Sequence, residues 1–206
     1  MSDAATHPTP GAVLDYWFGP TREDHLAANR QHKLWFTKSE TTDQFIRDRF
    51  LDLHAALNAG LADVWANQGA RARLAAIIVL DQFSRNIFRG QPAAFASDPL
   101  ALKLARDGIA RGEDTDLSEL ERSFFYLPFE HSESLADQDE SVALFARLSA
   151  DARSVFRPIC ESSHDYAEQH RDVIRSFGRF PHRNAILGRA NTAAEAEYLA
   201  KPGAGF

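Results

Sequence analysis

The chain has 206 residues, 23 Lys and Arg against 29 Asp and Glu, 44% hydrophobic content and one cysteine. A net charge of -6 with no Lys/Arg-rich block argues against a nucleic-acid binder that works by neutralising phosphates, and one thiol excludes a disulfide framework. The longest unbroken apolar run, Leu74 to Leu80, is far below the roughly 20 residues of a membrane span. The opening Met1-Ser2-Asp3-Ala4 lacks the basic and apolar regions of an export signal, so a cytoplasmic protein with no membrane partner is expected.

Almost every segment reads with helical period, and strand signals are nearly absent. Thr9 caps and Pro10 opens a first helix to Phe18, stopped by Gly19-Pro20. A second runs from about His25 to Phe36. A third, from Thr41 to Ala59, carries Phe45, Ile46, Phe50, Leu53 and Leu57 at 3.6 spacing until Gly60 interrupts it, and Leu61 to Trp65 forms a following turn. The segment from Ala70 to Phe88 is apolar on every side around Leu74–Leu80, the mark of a buried helix. Ser97-Asp98-Pro99 then caps a helix from Leu100 to Ala110, Gly112 ends it, and Glu113–Asp116 is read as a loop. Ser118-Glu119-Leu120-Glu121 is a capping box for a helix through Leu127 that Pro128 must kink or end. Two more helices are expected near Ser134–Leu148 and Asp151–Phe177, the latter perturbed by Pro158. Thr192 to Glu195 is a second capping box, opening a short helix to Ala200. No linker composition divides the chain, so residues 1–206 read as one all-α domain of stacked antiparallel helices, with 1–8 and 201–206 as loose tails. No fixed-period repeat marks a regular solenoid, so any superhelix is irregular.

Three clusters break the pattern of apolar inside and charge outside. In the first, Asp81, Arg85 and Arg89 stand at i, i+4 and i+8 and, if the helix persists, share one face, with Asn86 beside them. They read either as a buried ion pair or as guanidinium groups aimed at an anionic ligand. In the second, Phe124-Phe125-Tyr126-Leu127-Pro128-Phe129 leads straight into Glu130-His131-Ser132-Glu133. Apolar surroundings raise a carboxyl pKa and a neighbouring carboxylate raises that of His, so Glu130 and His131 are candidates for acid/base work; the alternative is the capping and solvation of a helix end. The third, Arg179-Phe180-Pro181-His182-Arg183-Asn184, presents cationic donors from a loop stiffened by Pro181, or else satisfies helix-end carbonyls. His131, His170 and His182 could complete a metal site, but three isolated histidines are weak ligand candidates and no metal is assigned. Cys160 and His164, at i and i+4, fit a core thiol better than a nucleophile. The glycines form neither a phosphate-binding loop nor a dinucleotide fingerprint; no nucleotide cofactor is supported, and the cofactor, if any, stays unknown.

The stretches Leu80-Asp81-Gln82-Phe83-Ser84-Arg85-Asn86-Ile87-Phe88-Arg89-Gly90, Tyr126-Leu127-Pro128-Phe129-Glu130-His131-Ser132-Glu133 and Arg179-Phe180-Pro181-His182-Arg183-Asn184 together resemble the DUF924 family of bacterial and related proteins. The resemblance runs from Val13-Leu14-Asp15-Tyr16-Trp17-Phe18 to the turn at Thr192–Glu195, and Ser84 stands where the family pattern has proline. It implies an all-α fold similar to tetratricopeptide superhelices and supplies no reaction and no catalytic residues.

Two functional expectations result. In one, the clusters converge on a concave pocket that binds a small anionic molecule and hydrolyses it. Arg85, Arg89, Arg179 and Arg183 form the clamp, Glu130 and His131 act as base and orienter, Asp81 holds an arginine, and Asn86, Glu133, His182 and Asn184 complete the lining. In the other, the helices present a groove to a peptide or partner protein, and the charged clusters are mutually paired staples whose loss costs stability instead of binding.

Overall fold

A computed structural model describes residues 7–205, and among these every regular element is helical. The α-helices are α1 (Pro10–Phe18), α2 (His25–Phe36), α3 (Glu40–Ala56), α4 (Ala62–Ala66), α5 (Ala70–Ile77), α6 (Ser84–Ile87), α7 (Asp98–Ala110), α8 (Glu119–Glu130), α9 (Leu135–Asp151), α10 (Arg157–Phe177) and α11 (Ala193–Leu199). None is long and apolar enough to cross a membrane. Of the expected loose tails, residues 1–6 and 206 lie outside the described residues; at the C-terminal side, the Gly205 amide donates to the Tyr198 hydroxyl at 3.3 Å.

Local chemistry explains the boundaries. The Thr9 side chain accepts from the Ala12 amide, and both capping boxes form as the sequence predicts: Glu121 accepts from the Ser118 amide at 2.9 Å and Glu195 from the Thr192 amide at 2.6 Å. Gly60, at φ 116°, breaks α3 from α4 in a wide turn over Leu57–Leu61. Three expectations are corrected. Pro128 does not end α8, which continues to Glu130. The helix expected from Asp151 starts later: α9 runs on through Asp151, Ala152 turns extended, and α10 begins at Arg157 with Pro158 in its first turn, where no amide is needed. Glu113–Asp116 is a 3₁₀ turn with Asp114 buried.

One apolar core runs from α1 to α10. Its centre is aromatic: Trp17 meets the rings of Phe83 and Phe124 edge-on at 5.3 and 5.7 Å, and Phe50 lies 4.7 Å from Phe83. Each such ring contributes about 1.5–3 kcal/mol by leaving water. The segment Leu74–Leu80 is fully buried, as its all-round apolarity requires. Between α7 and α8, Gly108 touches the floor of the core so closely that a Cβ there would lie 2.5 Å from Phe125 Cζ and 2.6 Å from Arg73 Cδ. A smaller apolar cluster, Val173, Ile174 and Phe180 with Phe177 and Tyr198, seats the C-terminal turns against α10. This arrangement carries the polar ends of the α5–α6 segment, α8 and the 180–184 turn to one end of the bundle.

Candidate functional site

The chain from α5 to α6 does not stay α-helical. Ile78–Phe83 is a π-helical turn, which widens the helix and shifts the angular phase of the residues beyond it. Asp81 lies inside this turn with a side chain only 1% exposed. Its carboxylate accepts from Gln82 Nε2 at 2.5 Å and from His131 Nδ1 at 2.8 Å, with Arg85 Nη1 at 3.3 Å. Burial would push the Asp81 carboxyl up, but the charge of Arg85 and the hydrogen bonds from His131 and Gln82 outweigh it and hold it below the usual carboxylate range. Asp81 is therefore an anion in the floor of the site.

Arg85 reaches outward to Asp98 at the start of α7, in a two-pronged pair at 3.0 and 3.1 Å. A buried network fixes both partners: His54 Nε2 meets Ser84 Oγ at 2.7 Å and Ser97 Oγ at 3.1 Å, and Ser84 Oγ donates to the Leu80 carbonyl at 2.7 Å. Ser84, Ser97 and His54 thus lock the residues flanking Arg85 and Asp98 to α3.

The end of α8 supplies Glu130 and His131. Gln138 of α9 donates to the carbonyls of Glu130 at 2.6 Å and Ser132 at 2.7 Å, which stitches this turn in place. Burial, with the Asp81 charge nearby, pushes the Glu130 carboxyl up to about 8, so it holds its proton at neutral pH. Glu130 Oε1 lies 3.3 Å from His170 Nδ1, which also meets the Tyr166 carbonyl at 2.8 Å. Burial brings His170 down to about 3. His131 is pulled below its ordinary value by burial, against the attraction of Asp81, and is neutral at pH 7. With Asp81 ionised, Nδ1 must carry the imidazole proton and donate it, which leaves the Nε2 lone pair outward. No hydrogen bond among the described residues engages that Nε2, and 15% of the side chain is exposed.

The third cluster arrives through a salt bridge to the second. Glu133 takes both prongs of Arg189 at 2.6 and 2.9 Å and the Phe180 amide at 2.8 Å. Asn184 accepts from Arg189 Nε at 2.9 Å and donates to Asn191 at 2.8 Å. Glu133 and Asn184 therefore hold the turn at residues 180–184 in place, and that turn places Arg183 Nη1 3.6 Å from Asp98. His182 sits on the same turn, its ring 5.5 Å from that of Phe180, and burial lowers it to about 4.

Asp81, Arg85, Glu130, His131, His170, His182 and Arg183 thus come to one end of the bundle. Three expected ligand residues do not join them. Arg89 and Asn86 both turn to Asp43 of α3, at 2.5 and 2.8 Å. The reason is the π turn together with the end of α6 at Ile87 and the non-helical Phe88, which break the i, i+8 relation. Arg179 pairs with Glu195 at 2.6 and 2.8 Å and staples α11. Asp98 and the rings of Phe95 and Phe180 belong to the cluster and were not singled out; Asp98 reads in sequence as a helix cap. Among the described residues, the side chains close enough to share a metal ion are His164, Asp165 and Glu168 on α10, not His131, His170 and His182. Cys160 is buried with its thiol pushed up to about 11, a core residue as expected. Two surface hollows lie elsewhere, one lined by Pro10, Arg22, Gly69 and Arg71, the other by Phe177, Arg179, Thr192 and Glu195.

The chain matches the model of a bacterial protein family of unknown function, DUF924, over residues 13–203. The chain belongs to the DUF924 family. A solved structure of a protein of unknown function from Agrobacterium tumefaciens is 38% identical to this DUF924 protein, covers 93% of this chain and 96% of its own, and superposes with a TM-score of 0.76. No curated protein matches it.

Proposed function

We propose that this DUF924 protein binds a small anionic molecule at Arg85 and Arg183 and hydrolyses it, with His131 as general base. The observation that carries the reading is His131 itself: Nδ1 is held by a buried, ionised Asp81, while Nε2 makes no hydrogen bond among the described residues and faces the partly exposed side of the cluster. An imidazole fixed in that tautomer and neutral at pH 7 is suited to take a proton from water. The hydroxide so formed would attack an acyl or phosphoryl centre whose anionic group rests on the guanidinium pair, and the imidazolium would return its proton to the leaving group. Asp81 then orients the base and Glu130, protonated, stands behind it.

The two probes are mono-4-nitrophenyl succinate and 4-nitrophenyl phosphate, which present a carboxylate and a phosphate beside the same leaving group. Release of 4-nitrophenolate from one of them is expected, falling about 100-fold or more in His131→Gln, in the range of general acid–base contributions. Equal rates in wild type and His131→Gln would remove the catalytic role.

The pairing of Arg89 with Asp43 and of Arg179 with Glu195 favours the alternative of a non-enzymatic interaction module, in which charged clusters staple helices. That reading predicts that Arg85→Ala changes stability and leaves the binding of every small anion unaltered.

A further inference from the structure

Arg183 is an unusual cation for this fold. Its side chain is 8% exposed, and its guanidinium carbon lies 4.7 Å from the ring centre of Phe95 and 4.5 Å from that of Phe180. Its nearest carboxylate is Asp98, 3.6 Å away and beyond hydrogen-bond reach, because both Asp98 oxygens already bond Arg85. Nε is buried with no hydrogen-bond partner among the described residues. The neighbouring Arg85 and Arg189 are each engaged by hydrogen bonds in two-pronged geometry, and Arg171, whose Nε is also without a partner, still donates from Nη2 to Glu168. A buried guanidinium stacked on two rings but left without a hydrogen bond is short of an acceptor, since a buried unmet donor is costly.

Two features say what kind of acceptor fits. Guanidinium N–H groups donate in the plane of the group, so an acceptor meets Arg183 along an edge, with the rings of Phe95 and Phe180 close by. A planar carboxylate keeps both oxygens near that plane beside the two rings, whereas a tetrahedral phosphate that takes the same edge with two oxygens carries the others out of it. The surrounding charge is also balanced already, Arg85 and Arg183 against Asp81 and Asp98. A monoanion adds little repulsion from those carboxylates and a dianion adds more. We propose that Arg183 anchors the carboxylate of a small monoanionic molecule, taken edge-on beside Phe95 and Phe180 in preference to phosphate. This rests on the anion-binding reading above and names the class of molecule.

The test uses the full chain labelled with ¹⁵N. The arginine Nε–Hε resonances are followed while sodium propionate or sodium phosphate is added at pH 7, with sodium chloride holding ionic strength constant. The Arg183 signal is assigned by its loss in Arg183→Lys. Should that variant not fold, Phe180→Leu removes a ring that lies against Arg183 and not against Arg85, and identifies the signal by its change of ring-current shift. Propionate is expected to move the Arg183 signal saturably, with phosphate at least about tenfold weaker; in Arg183→Lys the neighbouring Arg85 signal reads propionate binding, which is expected to weaken about tenfold or more. Phosphate binding at Arg183 as tightly as propionate would overturn the carboxylate assignment and leave the anion site standing. An Arg183 signal indifferent to both would overturn the anion site itself.

Discussion

Glu130→Gln separates a buried acid from the scaffold around it. Glu130 is 4% exposed and its carboxyl rises from 4.5 to about 8 on folding, because burial disfavours the anion and Asp81 repels it. Above pH 4.5 the unfolded chain gives up this proton, while the folded chain keeps it until about pH 8. Through this group the folded state binds more protons in that window, and the contribution of Glu130 to stability falls as pH rises through it. At about 1.4 kcal/mol per pH unit, the full penalty reaches at most about 5 kcal/mol above pH 8. Glutamine has the shape of the protonated acid and no charge to lose. Urea unfolding at pH 5.0 and pH 8.5 therefore has a definite expectation: the two proteins differ little at the lower pH, and Glu130→Gln is the more stable by several kcal/mol at the higher, with an unchanged dependence on denaturant. On the acid side, His170 and His182, lowered by burial to about 3 and 4, oppose protonation in the folded state, so both proteins lose stability as pH falls below about 6.5. Parallel stability curves for wild type and Glu130→Gln between pH 5 and 8.5 would refute the reasoning, since they would mean that Glu130 ionises alike in both states.

Other consequences are as direct. Asp81→Asn leaves Arg85 with Asp98 alone and puts an amide donor among three donors, so it is expected to cost about 3 kcal/mol in urea unfolding; NMR of the His131 ring should then show Nδ1 no longer fixed as the protonated nitrogen. Gly108→Ala drives a methyl group into Phe125 and the Arg73 stem and should destabilise by about 1–3 kcal/mol, whereas a neutral result would show that α7 is free to shift. Cys160, with its thiol raised to about 11, should resist iodoacetamide at pH 8 in the folded protein and react in urea, a contrast that mass spectrometry reads directly.

The parts of this molecule legible in sequence are those governed by local chemistry. Caps, boxes, the Gly60 break and the buried segment at Leu74–Leu80 all depend on neighbours a few residues away, and they stand where residue type and period put them. The meeting of Asp81 with His131 and of Glu133 with the 180–184 turn was foreshadowed by charge set beside strongly apolar sequence, where it has to find a partner. The hidden part is geometric. A π turn leaves no mark in composition, yet it rotates Arg89 off the face of Asp81 and delivers it to Asp43. Asp98 carries the signature of a helix start, and only the packing of α7 against the π turn makes it the partner of Arg85.

The distinction between staple and site then falls on individual atoms, not on clusters. Arg89, Arg179 and Arg189 spend their donors on carboxylates that hold one segment to another, so their chemistry is complete within the fold. Arg85 is nearly complete in the same way. At the same end of the bundle, Arg183 Nε and His131 Nε2 make no hydrogen bond to any described residue, although every element that presents them is braced by the Asp81, Glu133 and Gln138 contacts. A purely structural network gains by closing an atom such as Arg183 Nε, because an unmet buried donor costs stability without adding rigidity. On the reading proposed above, these two atoms are where a ligand's oxygen and a water molecule would go.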